Sequence, residues 1–436
     1  MSSKLEQLKQ FWEYGDFGYI KRRVEEMKVY CQGTEPDDTY LECVDHTRMC
    51  RAKNILFDFK NLKSMNSNDR YREDVIQPGD VGGYCKLNTV EFKKQGGHKS
   101  PLQSWYAELG YFEELDYKPI QEGKCDIVVN DPTYIIKLDA GINMYHHYCD
   151  FVNLYMTQHI NNSFSQNVNI VIWDTSGGDY WSYFSDTWKV FSNRKLVHIK
   201  KYDGKRVCFR DATFSLLARM RYGHFYNMPI VSGCHATTLY RSFSEYVLHR
   251  LKIKQNGPLK DKLRVTMLAR ATAFRNVLNQ DAVVKAIRSK LGKEIELNLV
   301  TYNQDTPFTE QLKQTYNSDI FMGMHGAGLT HLLFLPNWGT VFEIYNCDDT
   351  DCYLDLARLR GVKYFTWENE SKLVQQDEGK HPQLGTPHKK FTNYSFDVDE
   401  FIRILKKMIK YVRQHPEFIE AKMLKHGESE ILNTEL

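Results

Sequence analysis

The sequence predicts an α/β protein of two Rossmann-like domains, and three observations point there. Apolar strand-like runs alternate with helical patterns from Cys125 onward, the mark of a parallel sheet covered by helices. The alternation is interrupted by one polar stretch, Lys254 to Lys262, whose Gly257 and Pro258 make the best linker in the chain. At 436 residues the chain also exceeds one ordinary core, so two domains of roughly 150 to 250 residues are expected.

Taken in order, Leu5 to Met27 alternates charged and apolar positions at helical spacing, which predicts an N-terminal helical extension. From there to about Asp116 the signals mix short strands and loops with four cysteines. Cys43 and Cys50 bracket a six-residue run and pair either with each other or with Cys31. Strands are then expected at CDIVV from Cys125 and YIIKL from Tyr134, followed by an amphipathic segment from about Met144 to His159. Asn167 to Asp174 reads as a buried strand, and further strands start at Leu196 and Arg206. A helix is predicted from Ala236 to Ile253. Beyond the linker come a strand ending in Arg270, a helix from Asn279 to Leu291, the strand ELNLV and a helix from Thr309 to Tyr316. The last long helix, Asp399 to Gln414, is amphipathic.

The densest stretch is Ser318 to Asn346. Ile320 to Met324 is an apolar strand that enters His325-Gly326-Ala327-Gly328, where only small residues stand before an apolar helix start near Leu329. Glycine lets backbone approach a ligand, and helix-start N–H groups favour a diphosphate. Pro336 closes the helix, and Thr340 to Tyr345 forms a strand that puts Glu343 near its end. The six-position dinucleotide fingerprint and the Gly-Lys-Ser/Thr of a P-loop are both missing.

Net charge of +3, without a long Lys/Arg run, does not imply nucleic acid. No window approaches eighteen consecutive apolar residues, so no membrane span is predicted, and the first residues lack the apolar region of a signal peptide. Ten cysteines without a C-x-x-C pattern argue for disulfides in an oxidising compartment. Sequons at Asn161, Asn369 and Asn393 point the same way. The expectation is a secreted or luminal chain whose signal peptide has been removed or is unrecorded. Its last four residues, Asn433-Thr-Glu-Leu436, faintly echo an endoplasmic-reticulum retention signal.

The run from Gly323 to Cys347, followed by Cys352 to Trp367, resembles the inverting, secretory-pathway glycosyltransferases of family 61. So do RVCFRDATFSLLARMRYG, GPLKDKLRVTMLAR and FTNYSFDVDEF, and the likeness runs from about Trp12 to Phe401. That family includes protein O-mannose N-acetylglucosaminyltransferases and plant xylosyltransferases. The resemblance implies a GT-B architecture. It comprises an N-terminal segment over 1–120, an acceptor-side domain over 121–256, a donor domain over 262–395, and a C-terminal helix over 396–436 that crosses back onto the first domain. It also implies inverting transfer of N-acetylglucosamine from UDP-N-acetylglucosamine to Ser or Thr of folded EGF-like repeats of extracellular proteins, in the endoplasmic reticulum lumen.

Such a transfer needs cations or dipoles for the leaving diphosphate, a base for the hydroxyl and a pocket for the sugar. Arg270 and Arg275, with Asn276, fall where the resembling enzymes bind donor, and guanidinium groups hold phosphate in a fixed fork. His325 and the backbone of Gly326, Ala327 and Gly328 complete that cradle, and Glu343 would accept from the ribose hydroxyls. His146 and Asp150, four apart on a helix, lie where the family places its His and Asp; His146 is the expected base, with Asp150 as orienter or as the base itself, and His147 points elsewhere. Basic residues at Ser192 to Leu196 replace an acidic run found in some members, and Asp349-Thr-Asp351 reads as an exposed loop, so no metal is required. Two other readings compete: a relative acting on another acceptor such as O-mannosyl glycans, and a non-catalytic UDP-sugar-binding paralogue.

Overall fold

The computed structural model describes residues 3–97, 100–226, 228, 231–270 and 272–432, with side chains to residue 427. It forms two compact units, Met1–Ser232 and Gly233–Leu436. The division falls ahead of the expected linker, so the helix around residues 238–250 belongs to the second unit, as do Gly257 and Pro258.

The N-terminal extension is two helices. Ser3 and Glu6 form a reciprocal capping box at the start of α1 (Lys4–Gly15). Asp16 then takes an extended backbone, φ −128°, and its carboxylate accepts from the Phe17 N–H to start α2 (Phe17–Glu25). The region 28–116 supplies strands of the main sheet: β1 (Lys28–Gln32), β2 (Tyr40–Cys43), β3 (Cys50–Asp58) and β4 (Lys86–Leu87). They are joined by β5 (Thr133–Ile136), β6 (Asn169–Ile172), β7 (Val197–His198) and β8 (Arg206–Phe214). The strand order is β7-β6-β5-β8-β3-β2-β1-β4, with three further short strands off this path. From β7 to β8 the pairing is parallel, and from β8 to β4 antiparallel. The first unit is therefore a mixed sheet in which only the β7-to-β8 half has Rossmann-like pairing. Disulfides join Cys31 to Cys85, Cys43 to Cys50 and Cys125 to Cys208.

Helix α3 (Met144–Ile160) is buried on nearly every face rather than amphipathic as expected, and its apolar residues include Tyr148, Phe151, Leu154 and Met156. Asn143 caps it, accepting from the N–H groups of Tyr145 and His146.

The second unit begins with α4 (Thr238–Arg250) and continues as alternating strands and helices: β9 (Leu263–Leu268), α5 (Gln280–Leu291), β10 (Ile295–Val300), α6 (Phe308–Tyr316), β11 (Ile320–Gly323), β12 (Thr340–Glu343), α7 (Cys352–Arg360) and β13 (Lys363–Thr366). All five strands pair parallel in the order β10-β9-β11-β12-β13. Between β11 and β12 the apolar run forms a 3₁₀ helix, Ala327–Phe334, in place of the expected α-helix; Leu329 N–H already closes on the Gly326 carbonyl three residues back. The amphipathic α8 (Val398–Gln414) lays Phe401, Leu405, Met408 and Val412 into this unit's own core, and α9 (Pro416–Leu432) adds Phe418 to it. The C-terminal helices thus pack inside the second unit. Among the described residues no helix is long and apolar enough to cross a membrane.

Candidate active site

In an open α/β sheet ligands gather beyond the carboxyl ends of the strands, where neighbouring connections diverge. In chain order the second unit's sheet runs 2-1-3-4-5, so that point lies between β9 and β11. Two segments leave the sheet there: the loop carrying Arg270 and Arg275 after β9, and His325-Gly326 after β11.

The two guanidiniums converge on one acceptor. Arg270 Nη1 donates to the His325 carbonyl at 3.2 Å and Arg275 Nη1 donates to the same oxygen at 3.1 Å. Arg270 also reaches Thr272 Oγ1 and the Phe274 carbonyl through Nε, both at 3.2 Å. Among the described residues neither arginine has a carboxylate within ion-pair distance, and the buried Nε of Arg275 has no hydrogen-bond partner. Burial, together with Arg275, pushes Arg270 down to about 10. Two like charges in one partly desolvated place call for an anion.

Gly326 makes room for this. Its φ is +153°, and a Cβ there would come within 2.4 Å of Arg270 Nη1. A Cβ on Gly328 would meet Leu268 at 2.4 Å, so both glycines serve close packing beside Ala327, which opens the 3₁₀ helix.

His325 and Glu343 form a unit, but not the expected one. Glu343 is fully buried, accepting at 2.7 Å from His325 Nδ1 through Oε1 and from the Tyr364 hydroxyl through Oε2. Both oxygens are used inside the protein, so Glu343 orients His325 and is not placed to accept from a ribose. His325 Nε2 lies 3.5 Å from Asp349, whose Oδ2 also accepts from Lys390 Nζ at 2.6 Å. Asp349 borders a cavity of about 610 Å³ lined further by Cys347, Gln375, His388 and Lys389. Asn276 ties the arginine loop down: its N–H and its Nδ2 both donate to Asn393 Oδ1 at 2.9 Å, and Nδ2 also donates to the Thr272 carbonyl at 2.7 Å.

In the first unit His146 starts α3, beyond the carboxyl ends of β5 and β8. Its ring Nδ1 lies 2.8 Å from Asp139 Oδ2, on the turn after β5. Arg219, beyond β8, grips the same carboxylate through Nε at 2.8 Å and Nη2 at 3.2 Å. Burial raises the Asp139 carboxyl, but the bonds from His146 and Arg219 outweigh it and hold the group below the usual range. The His146 side chain keeps 24% of its surface exposed.

Asp150 is neither orienter of His146 nor exposed base. Both its oxygens accept from the Asp139 N–H, at 3.2 Å each, and Oδ2 lies 3.2 Å from Nδ1 of His147. Its side chain is only 5% exposed, and burial pushes its carboxyl well above the usual range. His147, expected to point away, is its partner: wholly buried, it meets the Tyr180 hydroxyl at 2.7 Å through Nε2, and burial and Arg70 push it down to about 3. Helical spacing could not show Asp139, which reaches His146 across a turn seven residues upstream; an acid three residues past the end of β5 was the available signal.

A parallel α/β unit whose switch point gathers two cations without acidic partners at a glycine turn has the chemistry that favours an anion. The profile described as Glycosyltransferase 61 matches residues 144–342. The EGF domain-specific O-linked N-acetylglucosamine transferase of Bos taurus is 54% identical over 419 residues, covering 96% of this chain and 78% of that protein. The same-named proteins of Gallus gallus, at 54% over 406 residues (93% and 75% covered), and Drosophila melanogaster, at 46% over 421 (95% and 80%), are similar over comparable spans. The chain belongs to the glycosyltransferase 61 family and is an enzyme of the glycosyltransferase class.

Proposed function

We propose that this chain transfers N-acetylglucosamine from UDP-N-acetylglucosamine to a Ser or Thr hydroxyl of a folded EGF-like repeat, inverting the anomeric carbon. The observation that carries the reading is its identity of 46% to 54% with relatives named for that activity, over nearly the whole chain. In this reading the first unit handles the acceptor and the second the donor, the division of labour of a GT-B enzyme. The setting is the endoplasmic reticulum lumen, consistent with the three disulfides.

The chemistry follows from the side chains. His146 takes the acceptor hydroxyl's proton as that oxygen attacks the anomeric carbon. The bond from that carbon to the β-phosphate oxygen breaks, and its electron pair leaves with UDP. Arg270 and Arg275 meet the charge that develops on the diphosphate, a role that fits their lack of acidic partners. The neighbouring cavity of about 610 Å³ is of a size suited to a nucleotide. With two fixed cations at the diphosphate, the reaction proceeds without a divalent metal.

The test is intact mass of a folded EGF repeat after incubation with UDP-N-acetylglucosamine, UDP-glucose or UDP-xylose, each with and without EDTA. One added N-acetylhexosamine that survives EDTA is expected. Addition only from another donor would assign a different sugar, and no addition from any donor would point to a non-catalytic UDP-sugar binder.

A further inference from the structure

We propose that Asp139 and Arg219 are positioning residues that fix the tautomer of His146, so that Nδ1 carries the proton and Nε2 presents the lone pair to the acceptor hydroxyl. This rests on the reading of His146 as the base.

Two groups compete for Nδ1. Asp139 Oδ2 lies at 2.8 Å and Arg219 Nη2 at 3.3 Å. An ionised carboxylate only accepts and a guanidinium only donates, so the two demand opposite states of the ring. A bond from Arg219 would need the lone pair on Nδ1, leaving Nε2 protonated and unable to take a proton. A bond to Asp139 needs the proton on Nδ1 and leaves Nε2 open. The shorter, charge-assisted contact is the one to Asp139.

Arg219 spends itself elsewhere, which resolves the competition. Its Nε and Nη2 both donate to Asp139, keeping that carboxylate ionised and therefore an acceptor. The guanidinium also lies 4.0 Å over the Tyr226 ring, which holds its plane.

The backbone of Asp139 is itself fixed from two sides. Its N–H is held by Asp150, its carbonyl accepts from Arg70 Nη1 at 2.9 Å, and Arg70 Nε is anchored on Asp174 Oδ2 at 2.9 Å. The buried pair of Asp150 and His147 thus supports the residue that orients the base. Among the described residues, the groups facing His146 are Asp139 from the turn after β5, Arg219 and Tyr226 from the segment after β8, and Tyr145 and Asp150 on its own helix. Asp139 and Arg219 carry opposite charges, so the proton gained at Nε2 meets a nearly compensated field.

The experiment is Asp139→Asn in the full chain, read three ways. The amide can donate to Nδ1 and reverse the tautomer, so kcat is expected to fall about 100-fold or more while the donor KM and UDP affinity stay unchanged. Nitrogen chemical shifts of ¹⁵N-histidine-labelled protein, assigned with His146→Gln, should show Nδ1–H in the parent and Nε2–H in Asp139→Asn. Asp139→Glu should recover part of kcat, and Arg219→Met should move the acid limb of the pH–rate profile to higher pH, because Asp139 then stabilises the protonated ring without opposition. An Nε2–H tautomer in the parent protein would overturn the proposal however the variants fold, as would parental kcat in Asp139→Asn. If His146→Ala kept full activity, the base assignment itself would fall; Asp139→Asn active beside a dead His146→Ala would sink the positioning pair alone.

Discussion

Around His146 the charges come in compensated pairs: Asp139 lies between the imidazole and the Arg219 guanidinium. At Arg270 and Arg275 they do not, since the two share one carbonyl and have no acidic partner among the described residues. The first arrangement suits a group that must gain and lose a proton with little change in field. The second leaves like charge uncompensated, so an anion there would relieve the repulsion. Stability and ligand affinity should therefore be coupled in opposite senses at the two places.

The largest expected effect is at the uncompensated site. Arg270→Gln should lower kcat/KM by about 100- to 1,000-fold, abolish UDP-induced thermal stabilisation, and leave the ligand-free melting temperature unchanged or raised. A ligand-free protein much less stable than its parent, yet still stabilised by UDP, would break the comparison. Gly326→Ala comes next: its Cβ would displace Arg270 Nη1, so the donor KM should rise about tenfold with the EGF repeat's own affinity unchanged. Equal losses for donor and acceptor binding would show that the turn does not act on the donor alone.

Acid stability sharpens the contrast further. Burial pushes His147 and His224 in the first unit, and His331 in the second, down to about 3. A depressed folded value means that the native state keeps these rings neutral while the unfolded chain protonates below about 6.5. Their contribution is complete above that pH and is lost as pH falls toward 3, at about 1.4 kcal/mol per unit for each ring. Thermal unfolding at pH 7, 5.5 and 4 should show the melting temperature falling, and falling more for the first unit. A flat profile would mean that these rings titrate in the native state.

The smallest effect concerns Asn393. It accepts from Asn276 and donates through Nδ2 to the Ala273 carbonyl at 3.2 Å and Gln376 Oε1 at 2.8 Å. Asn393→Gln should raise the donor KM only two- to fivefold, by loosening the arginine loop, with about 1 kcal/mol lost in stability. Because its amide is engaged inside the protein, peptide mapping of secretory-pathway material should find no N-glycan there, whereas the exposed Asn369 can carry one. A glycan on Asn393 would contradict the loop anchor.

Which parts of this were legible in the sequence follows from the range of the interactions. Strands β9, β11 and β12, the glycine turn and helix α5 are local patterns, and the residues themselves announce them. The grouping of Arg270, Arg275 and His325 was also visible, because each follows a recognisable strand end. The partners of His146 and Glu343 were not. Asp139 reaches His146 across a turn, Tyr364 reaches Glu343 from the neighbouring strand, and neither obeys a helix or strand period. Likewise β1 to β4 join the main sheet only through β3, which pairs with β8, so the region 28–116 looked irregular until the sheet supplied its neighbours. Helix α4 followed the same rule: nothing in its own period states which unit it joins.

The three disulfides have a temporal consequence. Every bridged cysteine lies between residues 31 and 208, ahead of the second unit's start at Gly233. A chain made from its N-terminus can close all three bridges before any of the second unit's strands exists. The bridge from Cys125 to Cys208, spanning 83 residues, encloses the whole of α3 with His146 in one covalent loop. Synthesis can therefore finish and lock the half that carries His146 while the half that collects cations is still to come.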